Sequence, residues 1–206
     1  MTMKVAGAII AGGPAKRLGG VAKPFLTVGG RAIAERQLAL LRASGLARVF
    51  VVANDGAPWS ALGVGVVPDL VGGVGPLGGV HAALSAADDC DAVICLAGDL
   101  PFVAPGLLAA LRDRASAAEV VAPKTARGIE PLCARYARGL LPDVDARVRR
   151  GDLAVHEMLE GRAVDWIAGA ELAALDPDGR SFFNVNTPED LARADAMAAQ
   201  ETGRRA

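Results

Sequence analysis

The sequence predicts an α/β fold in which helices cover both faces of a mostly parallel sheet. Two observations predict it. Short continuous apolar runs at 5–11, 48–53, 64–67 and 91–97 alternate with segments of helical character, the pattern of buried parallel strands joined by crossover helices. The unusual polar and glycine-rich segments at 12–23, 54–58, 69–79 and 98–101 each follow one of those runs. In a parallel sheet they converge on the carboxyl edge, where ligands bind in such folds.

Taken in order, 5–11 (VAGAIIA) ends at Gly12-Gly13 and reads as the first strand, and 12–30 reads as a loop. Ile33, Leu38 and Leu41 recur at helical spacing in 32–44, and Gly45 stops that helix. The second strand at 48–53 is ended by a turn at 54–58. The third, at 64–67, runs into a loop at 72–79 and a helix at 80–87. The strongest strand, 91–97, leads into Gly98-Asp99-Leu100-Pro101. Beyond it, 106–115 reads as helix, 119–122 as strand and 130–136 as a strand leading into a short helix. A helix at 153–159, a strand at 163–167 and a short strand at 182–185 follow. Thr187 is a natural N-cap, Pro188 suits the first helical position and Asp190 closes a capping box, opening a final helix to about 199. The expectation is one domain over 1–199 with a disordered tail at 200–206.

The chain has 206 residues, and compact domains run to ~100–200 residues each. An apolar fraction of 52% and a mean hydropathy of +0.32 exclude a disordered chain. Lys and Arg total 22 against 23 Asp and Glu, a formal net charge of −1. That balance argues against a general nucleic-acid or membrane-surface binder, so an anionic ligand needs a local site. Aromatics at 4% argue against a base-stacking platform. Cys90, Cys95 and Cys133 form no Cys-x-x-Cys pair, which points to reduced, buried thiols and a cytoplasmic protein rather than a disulfide scaffold or a four-cysteine zinc site.

The segment AGGPAKRLGGVAK at 11–23 carries Lys16, Arg17 and Lys23 among its glycines. Glycines let backbone N–H groups approach phosphate oxygens, and the cations supply charge. It is not a Walker A loop, because no Gly-Lys-Ser/Thr closes it. A structural turn is the plain alternative; three cations in a near-neutral chain tilt it toward phosphate. Gly73-Val-Gly-Pro-Leu-Gly78 matches G-x-G-x-x-G, but it follows a third strand rather than the first. Pro76 also removes an N–H a pyrophosphate would need, so dinucleotide binding is set aside. Asp99 at the end of a central strand reads as a Mg²⁺ ligand or as a helix cap. Asp69 is a second acidic group or a turn residue, and Asn184 and Asn186 are site amides or caps. His81 and His156 are isolated, and no metalloprotease or nucleophile-elbow motif occurs. Arg149-Arg150, ahead of the expected helix at 153, are a solvated face or a contact for an anionic substrate.

These segments together resemble the molybdenum cofactor guanylyltransferase family. The first loop is similar to the signature AGG-x-x-x-R-M-G-G-x-x-K of nucleotidyltransferases. Asp69 with Gly75-Pro-Leu-Gly-Gly79, Gly98-Asp-Leu-Pro-Phe102, Glu130-Pro-Leu132 with Tyr136, and Phe183-Asn-Val-Asn-Thr-Pro-Glu-Asp-Leu191 complete the pattern over about 4–195. The order of five motifs is specific where any one alone is not.

The resemblance implies a Rossmann-like fold of the nucleotide-diphospho-sugar transferase type. It implies transfer of GMP from GTP to molybdenum-bearing molybdopterin with release of pyrophosphate. It also implies backbone contacts to the nucleotide from Ala11, Gly12 and Gly13, and neutralisation of the triphosphate by Arg17 and Lys23. Asn54, Asp69 and Gly78 would lie with the nucleoside, Asp99 would hold Mg²⁺, and Asn184 and Asn186 would face the pterin. Asn186 reaching the metal is an analogy with related pyrophosphorylases. Transient contact with proteins that deliver and accept the cofactor is implied as well. Two positions depart from the family pattern: Ala22 stands where an acidic residue is common, and Val52 where Asn is common. AGG rather than AAG at 11–13 favours guanine over the cytidylyltransferases of the same cofactor. A sugar-phosphate nucleotidyltransferase is a further alternative, and a non-catalytic nucleotide-binding regulator would not need Asp99 and Lys23.

Overall fold

The computed structural model describes residues 3–11, 17–71 and 74–205. After β1 (Val5–Ile10) come two short hairpins, β2 (Arg17–Leu18) with β3 (Val21–Ala22) and β4 (Thr27–Val28) with β5 (Arg31–Ala32), separated by a 3₁₀ turn at Lys23–Phe25. Then follow α1 (Ile33–Ala43), β6 (Arg48–Val52), α2 (Ala57–Ser60), β7 (Gly65–Val67), α3 (Gly75–Ala86) and β8 (Ala92–Ala97). The second half holds α4 (Pro105–Asp113), β9 (Val120–Thr125), β10 (Gly128–Ile129), β11 (Cys133–Ala137) and α5 (Leu141–Arg150). It ends with α6 (Val155–Leu159), β12 (Val164–Ala168), α7 (Gly169–Leu175) and α8 (Pro188–Arg205).

Among the described residues, eight strands form one sheet in the order β10-β9-β11-β8-β1-β6-β7, with β12 also paired to β9. β1 is parallel to both β6 and β8, and β6 to β7. β11 enters antiparallel between β8 and β9. All six residues of β1 are buried, which is why its sequence is a continuous apolar run rather than an alternation. Period-two geometry sends Ala6, Ala8 and Ile10 to one face, with Leu77, Leu84, Val144 and Met158. Val5 and Ile9 face the other side, with Leu38, Leu41, Leu107 and Leu111. A third cluster of Val28, Ile33, Phe102, Val185, Ala194 and Ala198 docks α8 against α1 and the segment after β8.

Several elements differ from the sequence expectation. The loop expected at 12–30 contains two hairpins. Gly19 and Gly20 have φ of 58° and 85°, and Gly29 and Gly30 have 57° and 77°, the paired positive φ that a two-residue type I′ hairpin requires. The loop expected at 72–79 is largely helix, because α3 starts at Gly75 with Pro76 in its first turn. The short helix expected to follow the strand at 130–136 is the ten-residue α5. Val144 and Val148 are its buried i, i+4 pair, and Gly151 ends it at φ 76°. Arg149 and Arg150 therefore close α5 as well as preceding the expected helix, α6. Residues 182–185 form no strand; Phe183 N–H turns back to the Arg180 carbonyl at 3.0 Å, and Val185 N–H donates to the Asp99 carbonyl at 3.1 Å. The last helix runs to Arg205, past the expected end at about 199 and through most of the expected tail. Residues 200–202 carry no helix breaker to stop it.

Glycines in α3 serve close packing. A Cβ on Gly79 would lie 2.3 Å from Ile10 Cγ2 in β1. Gly79→Ala gains ~1 kcal/mol in helix propensity, but overpacking of this kind costs ~1–3 kcal/mol, with Ile10 fixed in the central strand. The expected outcome is a Tm lowered by a few degrees in calorimetry. An unchanged Tm would mean that α3 can move off the sheet freely.

Candidate active site

Each parallel strand ends at the same edge, and backbone bonds carry the ladder past the strand ends. Ala11 N–H donates to Val52 O at 2.9 Å, Ala53 N–H to Val67 O at 3.0 Å, and Gly98 N–H to Ile10 O at 3.0 Å. The segments that follow are thus held together where they leave the sheet.

The 3₁₀ turn at Lys23–Phe25 lies against the end of β8. A Cβ on Gly98 would stand 3.1 Å from Pro24 Cγ and 3.3 Å from the Ile10 carbonyl oxygen. Glycine at 98 is what lets Pro24, and with it Lys23, approach the Asp99 turn. Phe25 is fixed from the other side by an edge-on contact with Trp59 of α2, ring centroids 4.9 Å apart.

As a result Lys23 Nζ donates to Asp99 Oδ2 at 3.2 Å and also to Asn186 Oδ1. The Lys23 and Asp99 side chains are 17% and 21% exposed, so this ion pair is less screened than one on the open surface. Asn186 arrives on the segment before α8, whose start is built as the sequence suggests. The Asp190 N–H donates to Thr187 Oγ1 at 3.1 Å, and Asp190 Oδ2 accepts from the N–H groups of Asn186 and Thr187 at 3.1 and 3.0 Å. The bond from the Asn186 N–H is the chief cause holding the Asp190 carboxyl below its ordinary pKa.

A second group sits beyond β6 and β7. Asn54 Oδ1 accepts the Asp69 N–H at 3.0 Å. Asp69 Oδ1 is buried and has no hydrogen-bond partner among the described residues. It stands 3.2 Å from where a Gly78 Cβ would be. An unpaired buried carboxylate oxygen is costly, and a ligand donor can satisfy it. β7 is three strands from β8, so the two groups are roughly 14 Å apart across the edge.

Gly12, Gly13 and Lys16 lie outside the described residues, and Arg17 is described only as backbone, paired with Ala22. The N–H of Ala11 is committed to Val52, so Ala11 can offer a ligand its carbonyl but not its N–H. Asn184 is exposed. His81 belongs elsewhere, facing Asp145 of α5 at 3.4 Å.

Gln37 was missed by the sequence reading. It is 1% exposed in α1, and its Nε2 donates to Ala97 O at 2.7 Å and to Leu100 O at 3.1 Å. The signal was present: Ile33, Gln37 and Leu41 repeat at i, i+4 on one buried face, and an amide in that apolar stripe is out of place. Gln37 also lines a cleft of about 710 Å³ with Arg31, Phe102, Pro105 and Arg180. That cleft flanks the segment after Asp99 and includes neither Lys23, Asp99 nor Asn186.

Among the described residues, no helix is long and apolar enough to cross a membrane. A family model described as "MobA-like NTP transferase domain" matches residues 7–165. A probable molybdenum cofactor guanylyltransferase of Pelotomaculum thermopropionicum is 34% identical over 205 residues, covering 98% of each chain. The molybdenum cofactor guanylyltransferase of Desulfosudis oleivorans is 34% identical over 199 residues, 93% of this chain and 95% of its own. The crystal structure of molybdopterin-guanine dinucleotide biosynthesis protein A from Archaeoglobus fulgidus superposes with a TM-score of 0.79 at 27% identity, over 95% of this chain and 99% of that one. Likeness of this extent, carried by a sheet of the nucleotide-diphospho-sugar transferase type, means that the chain belongs to the molybdenum cofactor guanylyltransferase family of MobA-like nucleotidyltransferases.

Proposed function

We propose that the protein transfers GMP from GTP to the terminal phosphate of molybdenum-bearing molybdopterin, in the cytoplasm, releasing pyrophosphate. The observation that carries this reading is Lys23 reaching Asp99 and Asn186 together at the carboxyl edge of the sheet. A triphosphate needs positive charge, and its counter-ion needs hard oxygen donors. The relatives' names supply the two substrates.

The donor set fits a magnesium ion. The Asp99 carboxylate and the Asn186 amide oxygen are hard ligands, and Mg²⁺ is commonly held by one or two carboxylates together with substrate phosphates and water. When bound, the ion supplies charge neutralisation on the phosphate oxygens.

In the reaction, an oxygen of the acceptor phosphate bonds to the α-phosphorus of GTP, in line with the bond that breaks. The α–β bridging oxygen leaves on pyrophosphate with the bonding electrons. The nucleophile is already anionic, so no side chain need remove a proton, and the location of His81 against Asp145 agrees with that. Lys23 and Arg17 stabilise the charge that builds on the leaving group, and Asp99 and Asn186 orient the Lys23 ammonium. On the nucleoside side, the unpaired Asp69 oxygen suits the N–H donors of a guanine edge or a ribose hydroxyl. Asn54 steadies the Asp69 backbone, Gly78 keeps the space beside its carboxylate open, and Asn184 lies toward the acceptor.

Lys23→Ala is expected to lower kcat by roughly 10²-fold, the ~2.7 kcal/mol typical of losing one preorganised charge donor. Asp99→Ala is expected to abolish turnover at millimolar Mg²⁺ with the circular dichroism spectrum unchanged. Pyrophosphate release with GTP and the molybdopterin acceptor reads both, and near-wild-type rates in either variant would remove that residue from the reaction. GTP at ~100 times its Kd adds ~2.7 kcal/mol of stability, or roughly 5–10 °C in Tm for a chain of this size. A larger shift with CTP would overturn the guanine preference.

A further inference from the structure

We propose that Gln37 is a positioning residue: its buried amide holds the turn that presents Asp99 to the phosphates. The inference rests on the guanylyltransferase reading and deepens it. The two hydrogens of Gln37 Nε2 go to the carbonyls of Ala97 and Leu100, at 2.7 and 3.1 Å. Those carbonyls stand immediately before and after Gly98-Asp99, so one amide clamps both ends of the pair.

The amide can point only one way. Turned over, its oxygen would face two carbonyl oxygens. The orientation that makes both bonds leaves Gln37 Oε1 buried without a hydrogen-bond partner among the described residues. An apolar side chain at 37 would continue the stripe of Ile33 and Leu41 without burying an unpaired oxygen. The amide is therefore a poor choice for the core and a good one for the turn.

The rest of the turn is anchored by backbone. Ala97 N–H donates to Leu132 O at 2.7 Å, Gly98 N–H to Ile10 O at 3.0 Å, and Val185 N–H to Asp99 O at 3.1 Å. Sheet neighbours thus fix one side and the segment before α8 another. The third side is the cleft lined by Leu100, Pro101 and Phe102, and there Gln37 supplies the grip. Helix α1 does not touch the phosphates; it acts through Asp99.

The test uses the full-length Gln37→Met and Gln37→Glu variants. Methionine keeps the length and the burial without donors, and an ionised glutamate keeps the shape but presents oxygens to the two carbonyls. Loss of an outer partner that orients a metal ligand typically costs about 10–100-fold. The expected result for Gln37→Met is a kcat lowered by about 10–100-fold, with the KM for GTP nearly unchanged. Mn²⁺ affinity in the presence of GTP, titrated by electron paramagnetic resonance, weakens by a similar factor. Gln37→Glu is at least as impaired. A folded Gln37→Met variant with wild-type kcat and Mn²⁺ affinity overturns the proposal. So does a loss of rate fully accounted for by a loss of folded protein, or the failure of both variants to fold at 25 °C, since each makes Gln37 a stability residue. Absence of GTP-dependent pyrophosphate release from the wild type would instead overturn the guanylyltransferase reading itself.

Discussion

The cluster of Lys23, Asp99 and Asn186 depends on a close approach of two backbones. The turn that carries Lys23 can lie against the end of β8 because residue 98 has no side chain to hold Pro24 away. The central position of β1 enforces the same approach. Its carbonyl at Ile10 receives the Gly98 N–H, and Ala11 crosses to Val52. With β1 buried on both faces by two separate cores, its end is a stiff reference point. Loops on either side are measured from it. Rigid placement of charge matters here because the proposed chemistry uses little beyond positioning and electrostatics.

Among the described residues, two buried side-chain oxygens without partners lie close to this edge, on Asp69 and on Gln37. In an ordinary core such atoms are eliminated, because each costs on the order of 1–3 kcal/mol. Their persistence near one end of the sheet is the mark of a surface shaped for something other than folding. The three thiols follow the opposite logic. Cys90, Cys95 and Cys133 are all buried, and burial is the leading cause that raises each thiol's pKa above its ordinary value, which keeps them poor nucleophiles.

The strands of the first half were legible because full burial leaves an unmistakable apolar run, as in 5–10 and 92–97. The hairpins around Gly19-Gly20 and Gly29-Gly30 were not, since strands of two residues have no periodicity to detect; the paired glycines were the available sign. The extent of helix α5 was hidden by Pro142 and by a charged surface that left just Val144 and Val148 to mark its inner face. Lys23, Asp99 and Asn186 were legible from motif order, though their contact was not, because it joins three distant segments. Gln37 fell outside every motif. Its role comes from carbonyls sixty and more positions away along the chain, and no local pattern encodes that.

The pairing of Lys23 with Asn186 spans 163 positions. A chain emerging from the ribosome would bury most of its sheet well before residue 186 was available, since amino-terminal portions tend to fold first. The edge would meanwhile lack the Asn186 amide, and a fragment stopping short of the α8 cap would have a formed sheet with an incomplete cluster. Assembly of this cluster therefore waits on the segment that carries Asn186, made long after the central strands it joins.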